Sequence, residues 1–288
     1  MSLRLMAVHA HPDDESSKGA ATYAHYLNEG VEVMVVSCTG GERGDILNDH
    51  LERDALARRD LAGLRRLEMA DAQSIIGFQH RWLGYVDSGM AREDGTLPPG
   101  SFADIPVEIE AEHLVRVVRE FRPQVIVTYD ENGGYPHPDH IRSHEISMAA
   151  YEAAADPERY PEAGEPWAVS KLYYERIFNF PRMEAVGKHL AEIDPDSPLL
   201  TQFNEMVGWM RDRPFNATTQ VRVGEFFERR DQALKAHASQ VAPDSSFFFW
   251  PNRVQQEAWP YEDYQLAASR VATATPEADL FQGISEDD

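Results

Sequence analysis

Leu3-Arg4-Leu5-Met6-Ala7-Val8-His9-Ala10-His11-Pro12-Asp13-Asp14-Glu15 opens with an apolar run and stops at a proline. Such a run reads as a buried first strand, which leaves His11, Asp13 and Asp14 on the loop at its carboxyl end. Open α/β sheets put their chemistry at that end. A second cluster, Tyr135-Pro136-His137-Pro138-Asp139-His140, lies just beyond another apolar run, Gln124-Val125-Ile126-Val127-Thr128-Tyr129. Two strand ends, each carrying imidazole and carboxylate, set the expectation of one composite site.

Between these runs the pattern alternates. Residues 16–28 carry Ala20, Ala21, Tyr23, Ala24 and Leu27 at helical spacing and stop at Glu29-Gly30, and residues 31–37 are apolar and β-branched, which completes a βαβ unit. Residues 49–76 predict a long helix broken near Gly63, residues 79–85 a short strand, and residues 106–121 a helix that ends at Arg122-Pro123. A helix starting at Asp139 and an alternating strand over residues 171–178 follow. The expected fold is α/β, a Rossmann-like, mostly parallel sheet flanked by helices, with residues 1–180 as the catalytic domain. Past Pro181 the alternation weakens. Residues 181–288 are read as a smaller mixed α+β region that completes the substrate pocket, with a helix over 225–240, an aromatic loop at Phe247-Phe248-Phe249-Trp250 and a helix-poor tail.

The 288 residues include 49 acidic and 27 basic side chains, for a net charge of −22 spread along the chain. A surface that tracks phosphates needs clustered Lys and Arg, so nucleic acid and anionic membrane surfaces are not expected partners. The single cysteine, Cys38, rules out an internal disulfide and fits a reducing compartment. No apolar run has the length of a signal h-region or a membrane span, so a cytoplasmic protein is expected. Gly40, Gly41 and Gly44 do not form a dinucleotide fingerprint, and no nucleophile elbow surrounds Ser16, Ser17 or Ser88. The sequence gives no indication of oligomeric state.

His11, Asp14 and His140 supply two imidazoles and a carboxylate, the donor set of a catalytic zinc that keeps a position open for water. The same donors suit non-haem iron(II). A hydrolase also needs a base, for which Asp13, beside Asp14 and free to point the other way, is the candidate. His137 is placed to stabilise an oxyanion or protonate a departing amine, with Asp139 favouring its charged form and Tyr135 as a second donor. Arg65 and Asp87 are polar groups that could reach the pocket. His9, His144 and Cys38 read as packed residues.

At this pair of motifs the chain resembles the LmbE-like zinc N-deacetylases and amidases, whose A-H-P-D-D-E pattern stands at Ala10 to Glu15 and whose P-D-H pattern stands at Pro138 to His140. Residues 39–48, 129–140 and 163–174 are similar to the branch that acts on mycothiol S-conjugates. The resemblance implies a zinc amidase that cleaves the amide between glucosaminyl-inositol and an N-acetyl-cysteine bearing a toxin or drug on sulfur. It implies His11, Asp14 and His140 as metal ligands, Asp13 as base, His137 as oxyanion or amine partner, and Tyr135 as a mobile tyrosine at the pocket mouth. Arg65, Asp87 and Asp45 match positions that contact the sugar-inositol head, although Asp45 stands where a longer Glu is familiar. His237, in Ala236-His237-Ala238-Ser239-Gln240, matches a recurrent C-terminal motif with no role attached. The sibling activity is deacetylation of N-acetylglucosaminyl-inositol with the same residues; the Gly40–Gly44 loop and Pro136 favour the amidase branch. A more distant alternative is an iron oxygenase, in which Asp13 would have no use.

Overall fold

The computed structural model describes residues 2–51, 54–212 and 214–285. Seven strands, β1 (Arg4–His9), β2 (Glu32–Thr39), β3 (Gln79–Tyr85), β4 (Val125–Thr128), β5 (Lys171–Glu175), β6 (Thr219–Arg222) and β7 (Tyr261–Ser269), form one sheet in the order β3-β2-β1-β4-β5-β7-β6. β1 to β5 are mutually parallel, and β7 joins β5 antiparallel with β6 outside it. The helices are α1 (Asp14–Ser17), α2 (Ala20–Asn28), α3 (Asp54–Arg59), α4 (Leu61–Ile76), α5 (Val107–Phe121), α6 (Pro138–Ala153), α7 (Phe180–Ile193), α8 (Leu199–Met210), α9 (Phe227–Ala236) and α10 (Asn252–Ala258). The architecture is the α/β, mostly parallel sheet that the alternation predicts.

Strand periodicity divides the apolar runs between two cores. Leu5, Ala7, Val33, Val35, Val125 and Val127 face one side, against α2, α4 and α9. Met6, Val8, Met34, Val36 and Ile126 face the other, against α5 and α6. Both faces are covered, which is why the runs read as continuous rather than alternating. A third core, built from Met183, Leu190, Phe203, Met206, Trp250 and Val254, holds α7, α8 and α10 together.

Four local expectations change. The helix expected over 49–76 breaks at Asp60 rather than Gly63, because the Asp60 side chain accepts the Gly63 N–H at 2.8 Å and starts α4 as its N-cap; Glu52 and Arg53 lie outside the described residues. β5 is buried along its whole length between β4 and β7, not half exposed. The helix over 225–240 ends at Ala236. The tail contains β7, hidden from the sequence by Glu262 and Asp263, both fully buried. Glu262 Oε2 accepts from the Thr22 N–H at 2.9 Å and hydroxyl at 2.6 Å, and Asp263 accepts from Asn179, Trp259 and Gln220, so these carboxylates find hydrogen-bond donors within the core. No helix among the described residues is long and apolar enough to cross a membrane.

Candidate active site

β1 pairs with β2 on one side and β4 on the other, so the two motifs leave adjacent strands at the point where the strand order reverses. A crevice opens there in such sheets. The first loop turns sharply: Asp13 sits at φ 105°, ψ −27°, a left-handed conformation rare for a residue with a Cβ, and its carbonyl accepts the Ser16 and Ser17 N–H groups that start α1. This turn separates the two neighbouring carboxylates. Asp14 is buried, accepting from the His11 N–H at 3.0 Å and the Tyr129 hydroxyl at 2.7 Å, with the Lys18 ammonium on its other oxygen. Asp13 is less buried and also lines the cavity, with Arg65 at 3.3 Å from Oδ2.

His11 Nε2 donates to Asp139 Oδ2 at 3.2 Å, and His140 Nδ1 donates to the Gly133 carbonyl at 2.9 Å. These bonds fix the tautomers and leave His11 Nδ1 and His140 Nε2 as lone-pair donors, 3.6 and 3.5 Å from Asp14 Oδ2. His140 Nε2 is buried without a hydrogen-bond partner. Burial pushes the His140 imidazole down to about 3, so it is held neutral. Burial opposes a charge on His11 too, but Asp139, Asp14 and Asp87 outweigh it and raise His11 well above the ordinary imidazole value, so a cation bound there would displace a proton from Nδ1. An orphaned imidazole nitrogen within a ring of carboxylates fits a cation. His11, His137 and His140 also bring nitrogen atoms within 4.8 Å of one another, as do donors of His11, Asp87 and Asp139.

The second motif works differently from expectation in one respect. The Asp139 carboxylate backs His11, not His137, and is itself held by the Ser88 N–H at 2.9 Å. His137 accepts the Asp139 N–H on Nδ1 at 3.2 Å as the N-cap of α6, so its neutral form carries the proton on Nε2. Burial, then the neighbouring His11, lower its pKa and favour that neutral form. Tyr135 lies at the mouth, 44% exposed, its ring edge-on to His140 at 4.6 Å. Asp130 shapes this loop by accepting the Asn132 and Gly134 N–H groups at 3.0 and 2.9 Å.

Gly133 permits the close approach of loop and helix: its φ is +69°, and a Cβ there would stand 2.6 Å from His140 Cβ. Gly133→Ala is therefore expected to displace His140 and lower metal content, measured by elemental analysis, while the far-ultraviolet circular dichroism stays unchanged.

Arg65 is buried, donating to the Gly41 carbonyl at 2.8 Å and to the Pro12 carbonyl at 2.5 Å as well as to Asp13. Asp87 accepts from the Gly89 and Arg43 N–H groups at 2.7 and 3.0 Å, and Asp45 is exposed on the cavity rim. His9 is packed, 2.9 Å from the Tyr23 hydroxyl; His144 donates to the Tyr129 carbonyl; and the Cys38 thiol is buried, which pushes its pKa up. Sequence reasoning attached no role to Glu15, which is fully buried beneath Asp13 and bonded to His237 at 2.7 Å. Burial alone would raise this carboxyl, but His237 pulls it down to about 2. The signal was present in the last letter of the A-H-P-D-D-E pattern.

Above the site lies a cavity of about 850 Å³. Arg43, Asp45, Arg65, Asp87 and Gln240 give it one polar end, and Phe178, Phe180, Phe215, Phe247 and Phe248 give it an aromatic wall. Phe178 stacks on Phe247 at 5.7 Å, and Phe247 is 41% exposed.

The family described as PIG-L, GlcNAc-PI de-N-acetylase, matches residues 6–151. The chain belongs to the PIG-L family. That PIG-L segment runs from β1 to α6 and so contains the whole His/Asp cluster, whereas the aromatic wall lies beyond it. Similarity to individual members extends further. The chain is 51% identical over 288 residues to a mycothiol S-conjugate amidase of Streptomyces coelicolor, covering 99% of this chain and 98% of that protein. It is 40% identical over 296 residues to a 1D-myo-inositol 2-acetamido-2-deoxy-alpha-D-glucopyranoside deacetylase of Streptomyces scabiei, covering 98% and 90%. Among solved structures, an N,N'-diacetylchitobiose deacetylase from Pyrococcus horikoshii shares this PIG-L fold with a TM-score of 0.60 at 17% identity, covering 91% of this chain and 83% of that one.

Proposed function

We propose that this PIG-L chain is a zinc-dependent, cytoplasmic amidase of mycothiol S-conjugates, releasing glucosaminyl-inositol and a mercapturic acid. His11, Asp14 and His140 would hold the metal, which when bound polarises oxygen and acidifies water. Asp13 takes the proton from the attacking water and returns it to the departing amine. Its pKa is raised, first by burial and further by Asp14, with Arg65 opposing, as suits a base that must also release its proton. His137 offers Nε2–H to the carbonyl oxygen as negative charge develops there, and Tyr135 adds a donor from the mouth. Asp87, Asp45 and Arg65 stand at the polar end, where a sugar-inositol head presents hydroxyls.

The observation that carries the amidase reading over deacetylation is the aromatic wall. An acetyl group is a methyl on a carbonyl and needs no surface of five phenylalanines in an 850 Å³ cavity. A cysteine with an apolar sulfur substituent does. A bimane-labelled mycothiol conjugate is accordingly expected to show a kcat/KM roughly 10- to 100-fold above that of N-acetylglucosaminyl-inositol. Products identified by mass spectrometry decide the matter, and the reverse ranking assigns the chain to the deacetylases.

A further inference from the structure

We propose that Glu15 and His237 are positioning residues that hold Asp13 in the backbone conformation its proton transfer requires. The inference rests on Asp13 being the base. Three non-glycine residues among those described have positive φ: Arg122 at 56° and Tyr160 at 50° lie near the centre of the left-handed region, whereas Asp13 at φ 105°, ψ −27° lies far from that centre. A conformation of that kind is costly for a residue with a Cβ and persists only where its surroundings enforce it. Here a side-chain bond to its N–H joins the Ser16 and Ser17 N–H groups on its carbonyl. The Asp13 N–H donates to Oε2 of Glu15, in the first turn of α1, at 2.9 Å.

Glu15 can serve as this acceptor only if it is fixed. It is fully buried, and its other oxygen accepts from the Ser16 hydroxyl at 2.5 Å and from His237 Nε2 at 2.7 Å. His237, also fully buried, arrives from the far end of α9. The segment after it is clamped to the first half of the chain: Ser239 donates its N–H and hydroxyl to Glu68, both at 2.7 Å, and Asn48 donates to the Ala238 carbonyl at 2.9 Å. Neither Glu15 nor His237 lines the cavity, so neither contacts substrate. Arg65 grips Asp13 from the carboxylate side, and Glu15 grips it from the amide side.

A buried pair of this kind could instead merely stitch the C-terminal region to the first loop. The two roles separate because a buried ion pair replaced as a unit by apolar residues of similar volume is often neutral or stabilising. The double variant Glu15→Met/His237→Leu is expected to keep its melting temperature and its metal, yet to lose roughly 100-fold in kcat with KM within about threefold, since the acceptor for the Asp13 N–H is gone. Glu15→Gln keeps an acceptor oxygen without the charge and is expected to retain kcat within about fivefold. Asp13→Ala runs in parallel. If it retains turnover, the base assignment fails. If it is inactive while the double variant turns over like wild type, or loses metal or KM instead of kcat, the positioning role is overturned. Should the double variant be insoluble, Glu15→Gln carries the test alone, and a loss near 100-fold there overturns the proposal.

Discussion

Asp13→Ala is expected to bind metal as wild type does and to lose about 10²- to 10⁴-fold in kcat, the range that a positioned base contributes. The expectation follows from the way the loop divides two adjacent acids. Asp14 is committed: it accepts from His11, Tyr129 and Lys18, and its Oδ2 stands between the two imidazole nitrogens. The Asp13 carboxylate, rotated away by the residue's positive φ, meets Arg65 at 3.3 Å and faces the cavity. Removing its carboxylate leaves every bond to Asp14 in place. Asp13→Asn should fall as far, because the amide keeps the shape and the Arg65 side of the site but accepts no proton from water. Steady-state rates on one mycothiol conjugate, paired with elemental analysis of the same preparations, test this. Undiminished turnover at equal metal content removes Asp13 from the base role.

The first half of the fold was legible because β1, β2 and β4 are buried on both faces and therefore apolar with little interruption, and because its helices end at Gly or at Arg-Pro. The site was legible because its donors fall in two compact motifs. What escaped depends on partners far away in sequence. Glu262 and Asp263 break the apolar signature of β7, and only the fold shows that Thr22, Asn179, Trp259 and Gln220 donate to them. Asp139 looked like a partner for His137, two residues before it, yet its carboxylate turns to His11, brought near from 128 residues away. Arg65 lines the cavity, and only the fold shows that its guanidinium also donates to Gly41, Pro12 and Asp13. Glu15 and His237, 222 residues apart, meet only because α9 packs against α1.

His140→Ala and His137→Ala are expected to fail in opposite ways, which decides between two of the trios of donors that the geometry allows. Three imidazoles, His11, His137 and His140, lie within 4.8 Å of one another, so a site of three nitrogens competes with the site of His11, Asp14 and His140. Hydrogen bonding favours the second. His140 is fully buried with Nδ1 bonded to Gly133 and Nε2 free, the arrangement of a ligand whose far nitrogen is anchored. His137 uses Nδ1 to cap α6, which places a proton on Nε2 in the neutral ring and makes it a donor rather than a lone pair. His140→Ala is therefore expected to lose metal, roughly 10- to 100-fold or more in affinity, and its turnover with it; excess zinc or iron(II) should restore little. His137→Ala should retain one metal per chain and lose about 10²- to 10³-fold in kcat, the size of one oxyanion donor. If His137→Ala loses the metal as readily as His140→Ala, the three-nitrogen site is correct, and the oxyanion must be met by Tyr135 alone.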